Sequence, residues 1–167
     1  MDDRLEMILA RRSVRDYTSE PVAESDLRSL LEAAMAAPSA NNRQPWCFVV
    51  TRDRARLDLL ATAHPYGTMI AKAPLAFAVC GDASVSDWWV QDCSAATENL
   101  LIAAAGLGLG AVWIGCHGRP EREEAVRRCL GIPEAIGVLC LIAVGHPAER
   151  LPPRTQYDPG KIHTERW

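Results

Sequence analysis

Apolar residues recur along this chain in two patterns, one repeating every three or four positions and one forming short continuous runs. The first is typical of amphipathic helices and the second of buried strands. The repeating pattern predicts helices at 3–10, from a capping Ser25 to the residue before Pro38, and at 53–63, 87–109 and 120–130. The continuous runs predict strands at 46–51, 75–80, 111–114 and 138–145. This mixed order predicts an α+β fold, and its many helix-to-strand connections are compatible with three layers.

The final segment, residues 147–167, follows neither pattern. A segment of that kind is expected to fray. It nevertheless holds Tyr157, Ile162 and a terminal Trp167, together with prolines that stiffen it. Because a free tail rarely carries a terminal tryptophan, we infer that this tail packs on another surface, for which a second subunit is one candidate.

The composition excludes several classes of protein. Hydrophobic residues make up 49% of the chain and charged residues 23%, which is ordinary for a globular domain and rules out disordered or collagen-like chains. With 167 residues, no internal repeat and no linker, a single domain spanning 1–167 is expected. The net charge of −3 at pH 7 offers no overall attraction to nucleic acid.

No membrane segment, leader or metal site is indicated. The longest apolar run, residues 100–105 with a glycine-rich extension to 114, is too short for a bilayer. The first residues lack the basic and apolar stretches of a signal peptide. The six cysteines contain no C-x-x-C spacing, and the four histidines fall at no ligand spacing. We therefore expect a cytoplasmic protein with free thiols and without a metal.

A basic cluster follows the first predicted helix, with Arg11, Arg12 and Arg15 around Ser13. Guanidinium groups present fixed forks of N–H donors that match phosphate oxygens. The cluster is therefore a candidate site for a polyanionic ligand. A solvated basic edge that pairs with Glu or Asp is the competing interpretation, and composition alone favours that alternative.

A loop rich in amides and hydroxyls occupies residues 38–46, directly before a predicted strand. Amide side chains both donate and accept hydrogen bonds, so they match the mixed edge of a heterocycle such as a pyrimidine. A turn with local side-chain caps is the alternative. Turn chemistry alone does not account for nine residues in this order.

Glycines at 106, 108 and 110 suggest a dinucleotide-binding fingerprint. That fingerprint requires a strand before the glycines and a helix after them. Here a helix precedes and a strand follows, so we interpret these glycines as the end of the helix. Residues 113–116, at the end of the predicted strand, could still present backbone N–H groups to a ligand.

Five segments together resemble the FMN-dependent nitroreductase family. They are Arg-Arg-Ser-Val-Arg-Asp-Tyr at 11–17, Ala-Pro-Ser-Ala-Asn-Asn-Arg-Gln-Pro-Trp at 37–46, Gln-Asp-Cys-Ser-Ala-Ala-Thr-Glu-Asn-Leu-Leu at 91–101, Gly-Leu-Gly-Ala-Val-Trp-Ile-Gly at 108–115 and Ile-His-Thr-Glu-Arg-Trp at 162–167. They follow the family's order from end to end. The resemblance implies a three-layer α/β/α fold with a mixed, mainly antiparallel sheet. It also implies an intertwined homodimer across which the C-terminal tail extends.

The resemblance further implies an FMN site at the subunit interface. The first FMN motif, which is expected to supply contacts to the phosphate, comprises Arg11, Arg12, Ser13 and Arg15. Of these, Arg15 is expected to face the O2/N1 edge of the isoalloxazine. The loop expected from the second subunit comprises Pro38, Ser39, Ala40, Asn42 and Gln44. The strand end expected beside N5 and O4 comprises Trp113, Ile114 and Gly115. A late phosphate-binding cation is expected at Arg154, with Arg150 as the nearby alternative.

The implied activity is reduction of nitroaromatic, quinone or similar small acceptors at the expense of NADH or NADPH. Hydride reaches flavin N5, the nicotinamide leaves, and the acceptor takes its place in a ping-pong cycle. An arginine near N1 and O2 stabilises the negative charge of the reduced ring, and no side-chain acid or base is assigned. A flavin carrier without turnover, and an enzyme of this fold that fragments flavin or removes halogen reductively, are the alternatives.

The segment between Gly81 and Gln91 is short, with only nine residues. The resemblance therefore implies a more open flavin site than that of longer family members. Trp88 or Trp89 is expected near the mouth of that site or, equally, in packing at the dimer interface.

Overall fold

Four strands form one antiparallel sheet at the centre of the molecule. The computed structural model describes residues 5–167. The strands are β1 (Trp46–Thr51), β2 (Leu75–Asp82), β3 (Gly110–Gly115) and β4 (Ile136–Gly145), in the order β1-β2-β4-β3. All three pairings are antiparallel, and the isolated bridge between Ser13 and Ala111 adds a parallel contact at the β3 edge. β3 is therefore an edge strand. The stretch that contains the basic cluster of Arg11, Arg12 and Arg15, the basic segment, lies along its outer edge.

Residues 5–167 contain five α-helices. They are α1 (Glu6–Ala10), α2 (Glu24–Met35), α3 (Arg54–Ala63), α4 (Trp89–Gly106) and α5 (Pro120–Leu130). Of these, α1 packs on α4 and the other four cover the sheet. Three short 3₁₀ helices occupy Ala40–Asn42, Thr68–Ala71 and Pro159–Lys161. The bounds predicted for β1 and α5 agree with the structure. The predicted start of the first helix at residue 3 lies outside the described residues.

The two faces of the sheet carry separate cores. Alternate residues of β2 enter opposite cores, Phe77 and Val79 on one face and Ala76 and Ala78 on the other. α2 and α4 cover the first face, and α3 and α5 cover the second. The central strands are thus buried on both sides, which explains their continuous apolar runs. The result is the predicted three-layer α/β/α arrangement.

Two helix ends differ from the prediction. Ser25 does not cap α2, because the N-cap is Ala23, which makes no side-chain cap hydrogen bond, and Ser25 lies inside the first turn. α4 ends at Gly106 rather than 109. There the N–H of Leu109 donates to the carbonyl of Ala104 at 2.8 Å, and Gly108 takes the left-handed φ of +74° that this turn needs.

The C-terminal segment runs along the surface of its own chain. Residues 152–167 are exposed, and Trp167 is 98% accessible. The N–H of Arg154 donates to the carbonyl of Leu9 at 3.1 Å, which anchors the beginning of the segment beside α1. Its apolar side chains Tyr157 and Ile162 are also exposed. Within residues 5–167, no helix combines the length and the apolar character needed to cross a membrane.

Candidate functional site

The basic segment is fixed along the β3 edge by backbone hydrogen bonds. The N–H of Val14 donates to the carbonyl of Ala111 at 3.0 Å, and that of Thr18 donates to the carbonyl of His146 at 2.9 Å. A Cβ placed on Gly110 would lie 2.6 Å from Val14, so the approach of the two backbones requires glycine at that position. Ser13 and Arg15, on either side of Val14, are thereby held in register with β3.

Tyr17 stabilises the same segment from within the core. Its hydroxyl donates to the carbonyl of Val14 at 2.6 Å and also lies 3.2 Å from that of Ala143. Burial raises the pKa of Tyr17, so its hydroxyl keeps the proton that it donates. The sequence contained a signal for this role, because Tyr17 is the last residue of the motif Arg-Arg-Ser-Val-Arg-Asp-Tyr at 11–17.

Arg15 and the end of β3 line one cavity of about 520 Å³. Its walls are Arg15, Pro65, Tyr66, Thr68, Met69, Val112, Trp113, Ile114, Gly115 and Arg122. The structure thus brings together Arg15 and the predicted strand end, which are separated by about 100 positions in the sequence. Tyr66, Met69 and Arg122 were not predicted, because nothing local marks the segments that close this wall.

The backbone of the strand end is partly available to a ligand. The N–H groups of Cys116 and His117 both donate to the carbonyl of Leu139 at 3.0 Å, so neither is available. The prediction that residues 113–116 present backbone N–H groups to a ligand is therefore wrong for Cys116. Since N–H groups alternate in direction along an antiparallel strand, those of Trp113 and Gly115 face away from β4, at the open edge. A Cβ placed on Gly115 would meet nothing within 4 Å, which leaves open space at this point.

His64 holds the carbonyl group of Gly115. Its Nε2 lies 2.9 Å from that oxygen, and its Nδ1 accepts the N–H of Tyr66 at 3.1 Å. These bonds define a neutral imidazole protonated at Nε2. The side chain is only 2% exposed, and burial lowers its pKa, with a smaller contribution from Arg122. His64 therefore joins two walls of the cavity, although its sequence position gave no sign of that role.

Arg122 lies in the first turn of α5 at the same cavity. Its guanidinium carbon is 5.4 Å from the centre of the Tyr66 ring, and its Nη1 is 3.4 Å from the carbonyl oxygen of Gly115. Its Nε is buried without a hydrogen-bond partner among residues 5–167, although a carboxylate oxygen of Glu121 lies 3.9 Å away. Among residues 5–167, this guanidinium is thus paired with a carboxylate only at long distance.

The other basic residues lie beside the start of the tail. Arg11 Nε is 3.3 Å from Glu98, as the ion-pair interpretation expects, while Arg12 donates to the carbonyl of Pro152. Arg12 and Arg150 line a cavity of about 200 Å³. A neighbouring cavity of about 300 Å³ is lined by Ser13, Val14, Arg15, Asp16, Lys72, Glu149 and Leu151. Arg150 is therefore the arginine of the tail that shares a cavity with Arg12. Arg154 contacts this region through its backbone N–H, which donates to Leu9.

The amide loop is fixed at a different place, by a carboxylate in the first turn of α4. Buried Asp92 accepts the N–H of Ala40 at 2.9 Å and the hydroxyl of Ser86 at 2.9 Å. Within the loop, the N–H of Gln44 donates to the hydroxyl of Ser39 at 3.0 Å, and the Gln44 amide donates to Asn42 at 2.9 Å.

The backbone of this loop is unusual as well. Asn41, Asn42 and Gln44 have φ values of 51°, 56° and 51°, in the left-handed region that asparagine tolerates better than most residues. Pro38 precedes this turn. No residue of the predicted loop set lines the three cavities described above. None of these three cavities is therefore shared by the loop and the basic segment.

The tryptophan pair divides between two environments. The ring of Trp89 lies over the cross-strand pair Gly81 and Gly137, where added Cβ atoms would lie 2.4 Å and 2.5 Å from it. Trp88 is exposed at the start of α4. Trp89 is thus part of the packing of α4 on the sheet, and Trp88 is the member of the pair that is available at the surface.

The cysteines carry no activated thiol near the strand end. Cys116 is free and buried, and burial raises its pKa to about 12. It is therefore protonated near neutral pH, and a thiolate role at this position is disfavoured.

Comparison with known proteins agrees with this architecture. The model of the nitroreductase family matches residues 8–64 and 62–146. A chain from Archaeoglobus fulgidus named "Putative NADH dehydrogenase/NAD(P)H nitroreductase" is 44% identical over 174 aligned residues, which cover 100% of both chains. A crystal structure of the same name from Bacteroides thetaiotaomicron is 42% identical, with a TM-score of 0.97 over 100% of this chain and 99% of that one. An FMN-dependent nitroreductase from Clostridium difficile is 29% identical, with a TM-score of 0.91 and coverage of 96% and 98%. The chain belongs to the nitroreductase family.

Proposed function

We propose that this protein is an FMN-dependent oxidoreductase that uses NADH or NADPH to reduce nitroaromatic, quinone or similar acceptors in a ping-pong cycle. The observation that carries the proposal is the shared cavity of Arg15 and the outward backbone of Trp113 and Gly115. When bound, FMN supplies the hydride chemistry, taking a hydride from the nicotinamide at N5 and passing it to the acceptor. The donor set fits this cofactor, because it combines a fixed cation, backbone N–H groups and an apolar wall.

Arg15 is proposed to face the O2/N1 edge of the flavin. A guanidinium at that edge stabilises the negative charge of the reduced ring and raises its reduction potential. Its backbone position is fixed through its neighbour Val14, so this charge does not depend on a mobile loop. The outward N–H groups of Trp113 and Gly115, with Ile114 between them, orient the N5/O4 side.

The phosphate is proposed to bind where the basic segment meets the start of the tail. Arg12 and Arg150 line one cavity of this region, and Ser13 lines its neighbour. The N–H of Arg154 donates to Leu9, and Arg11, next to Arg12, is paired with Glu98. Because Arg150 shares a cavity with Arg12, it joins Arg154 as a candidate for the late cation. Phosphate binding by Arg11 requires its guanidinium to turn from Glu98 or to contact both groups.

Two copies are proposed to share two sites, in a cytoplasmic homodimer. The loop with Pro38, Ser39, Ala40, Asn42 and Gln44 would then be supplied by the second subunit. Two features support this proposal: the loop lines none of the cavities of its own chain described above, and the tail leaves apolar side chains exposed. Burial of such side chains between two copies would stabilise the dimer.

An anaerobic titration tests the function. The purified protein is expected to show the absorbance bands of oxidised flavin, and NADH or NADPH is expected to bleach them. Addition of a quinone or a nitroaromatic compound should then restore them. Bound flavin that persists in the oxidised form with both nucleotides would identify a carrier instead, and a purified protein that neither holds nor binds FMN would refute the proposal.

A further inference from the structure

Arg122 is a cation at the cavity of Arg15 to which the proposed function assigns no role. Its side chain is 22% exposed, and its stacking on Tyr66 restricts the direction of the guanidinium. Guanidinium has five N–H donors, and one of these is directed at the carbonyl of Gly115 at a long 3.4 Å. Its buried Nε has no hydrogen-bond partner among residues 5–167. Because Arg122 lines the cavity and part of its side chain is exposed, the accessible end of its guanidinium is within reach of an anion that enters the cavity.

The remaining walls of the cavity show what kind of anion would fit. Among the described residues that line it, the charged side chains are Arg15 and Arg122, and no carboxylate is present. Pro65, Met69 and Trp113 add apolar surface. Two cations beside apolar walls favour a flat organic molecule with a negative substituent over a neutral one.

We propose that Arg122 is a specificity-determining residue that binds the anionic substituent of the electron acceptor. This inference rests on the proposed function and narrows its substrate class to aromatic or quinoid acceptors that carry a carboxylate or a similar oxyanion. Arg15 remains with the flavin, while Arg122 lines the same cavity from α5 and is available to the substrate. A planar guanidinium binds a carboxylate through two parallel hydrogen bonds, which a neutral amide cannot reproduce.

The test compares two acceptors of nearly equal shape, 4-nitrobenzoate and neutral 4-nitrobenzamide. The wild-type holoenzyme should prefer the benzoate in kcat/KM. Arg122→Gln should lower the ratio of the two kcat/KM values at least tenfold, as expected for loss of a charged hydrogen-bonded pair. Arg122→Lys keeps the positive charge but loses the planar pair of N–H donors. Its ratio of kcat/KM values should therefore fall between those of the wild type and Arg122→Gln. Because Arg122 also contacts Gly115, both absolute rates can fall, and the ratio is the informative quantity.

Arg128→Gln is the matched control, since Arg128 lies on the same helix and is 75% exposed. Its ratio should equal that of the wild type. Equal losses with both acceptors in Arg122→Gln would overturn the proposal and leave Arg122 as a support for Gly115. An unchanged ratio with a weakened dimer, measured by sedimentation, would also overturn it and would place a carboxylate of a second copy at Arg122.

A binding measurement separates this inference from the proposed function. Calorimetry with benzoate and benzamide on the purified protein does not require turnover. Tighter binding of benzoate to the wild type, lost in Arg122→Gln, supports the anion site even if nicotinamide nucleotides fail to reduce the flavin. Equal affinities for the two compounds in the wild type would refute the anion site even if the protein is an active reductase.

Discussion

The carboxylate of Asp92 accepts a hydrogen bond from the backbone N–H of Ala40, at a distance of 2.9 Å. The bond joins buried Asp92, in the first turn of α4, to the amide loop across 52 positions of the sequence. The other oxygen of the carboxylate accepts the hydroxyl of Ser86 at 2.9 Å. Asp92 thus fixes the position at which the loop is presented, in a region where three residues have left-handed backbones.

Replacing Asp92 with alanine is expected to destabilise the fold and release the loop. The change leaves the Ala40 N–H and the Ser86 hydroxyl without their acceptor, which costs about 1–3 kcal/mol for each buried group that finds no water. Urea unfolding measures the loss, and FMN titration should show weaker binding if the loop contacts the flavin. Asp87→Ala, at an exposed site two residues before α4, should change neither quantity. Wild-type stability of Asp92→Ala would contradict the anchoring role.

Gly110→Ala and Gly115→Ala are expected to have opposite consequences. An added Cβ at Gly110 would lie 2.6 Å from Val14, whereas one at Gly115 would meet nothing within 4 Å. Gly110→Ala should therefore lower the free energy of unfolding by about 1–3 kcal/mol through overpacking, and should displace Ser13 and Arg15. Gly115→Ala should retain stability but weaken FMN binding, because the methyl group enters the proposed site.

Thermal unfolding and FMN titration of both variants distinguish these effects. Equal stability losses would contradict the difference in packing. Full FMN affinity in Gly115→Ala would argue against a flavin beside this residue.

Local signals explain which parts of this fold were predictable. Pro120 at the first position of α5 and Gly131 after its last residue, with a φ of 66°, mark both ends of that helix. Asp53 likewise caps α3 by accepting the N–H of Arg56. In contrast, Ser25 is a good capping residue that the structure does not use, because α2 already begins at Glu24 with Ala23 at the N-cap.

The candidate site left a signal in the sequence where its residues are contiguous, and none where they are distant. Family and fold are confirmed, whereas the assignment of Arg11, Arg12 and Arg154 to the phosphate stays a prediction. His64, just after the end of α3, and Arg122, on α5, both contact the carbonyl of Gly115, and no periodic pattern in the sequence predicts this meeting. Long-range polar contacts of this kind depend on how the elements pack together, which no local stretch of sequence specifies.

His64 is expected to make stability depend on pH. Burial lowers its pKa below the ordinary 6.5, and the charge of Arg122 lowers it further. Below pH 6.5 the unfolded chain therefore binds more protons at this position than the native state does, so acid favours unfolding. Above pH 6.5 this contribution to stability is complete, and it is lost as the pH falls towards the lowered pKa.

His64→Gln tests this dependence, because glutamine can donate to Gly115 without titrating. Urea unfolding of both proteins across the acid range should show that the wild type loses stability relative to the variant as the pH falls through 6.5. The other titrating groups are common to both chains and cancel in the difference. A difference in stability that is constant with pH would show that His64 stays uncharged in both states or charges equally in both.

Arg11 and Glu98 are expected to change FMN affinity in opposite directions. Their side chains form an ion pair at 3.3 Å, and this pair competes with any phosphate contact. Arg11→Ala should weaken FMN binding roughly ten- to a hundredfold, since a charged hydrogen bond is worth about 1.5–3 kcal/mol. Glu98→Gln should tighten binding by freeing the guanidinium. An Arg11→Ala affinity within about a factor of two of wild type would assign the phosphate to other arginines.

Removal of residues 157–167 is expected to abolish the homodimer. The deletion takes away the exposed apolar side chains Tyr157, Ile162 and Trp167 and retains Arg154 with its bond to Leu9. The phosphate region of each chain is thereby left in place, so a loss of FMN would follow from loss of the second subunit. Sedimentation velocity should show a monomer, and FMN titration should show weakened binding at the same protein concentration. A truncated protein that remains dimeric would show that the tail is not needed for association, and a monomer that keeps full FMN affinity would refute a site shared between two copies.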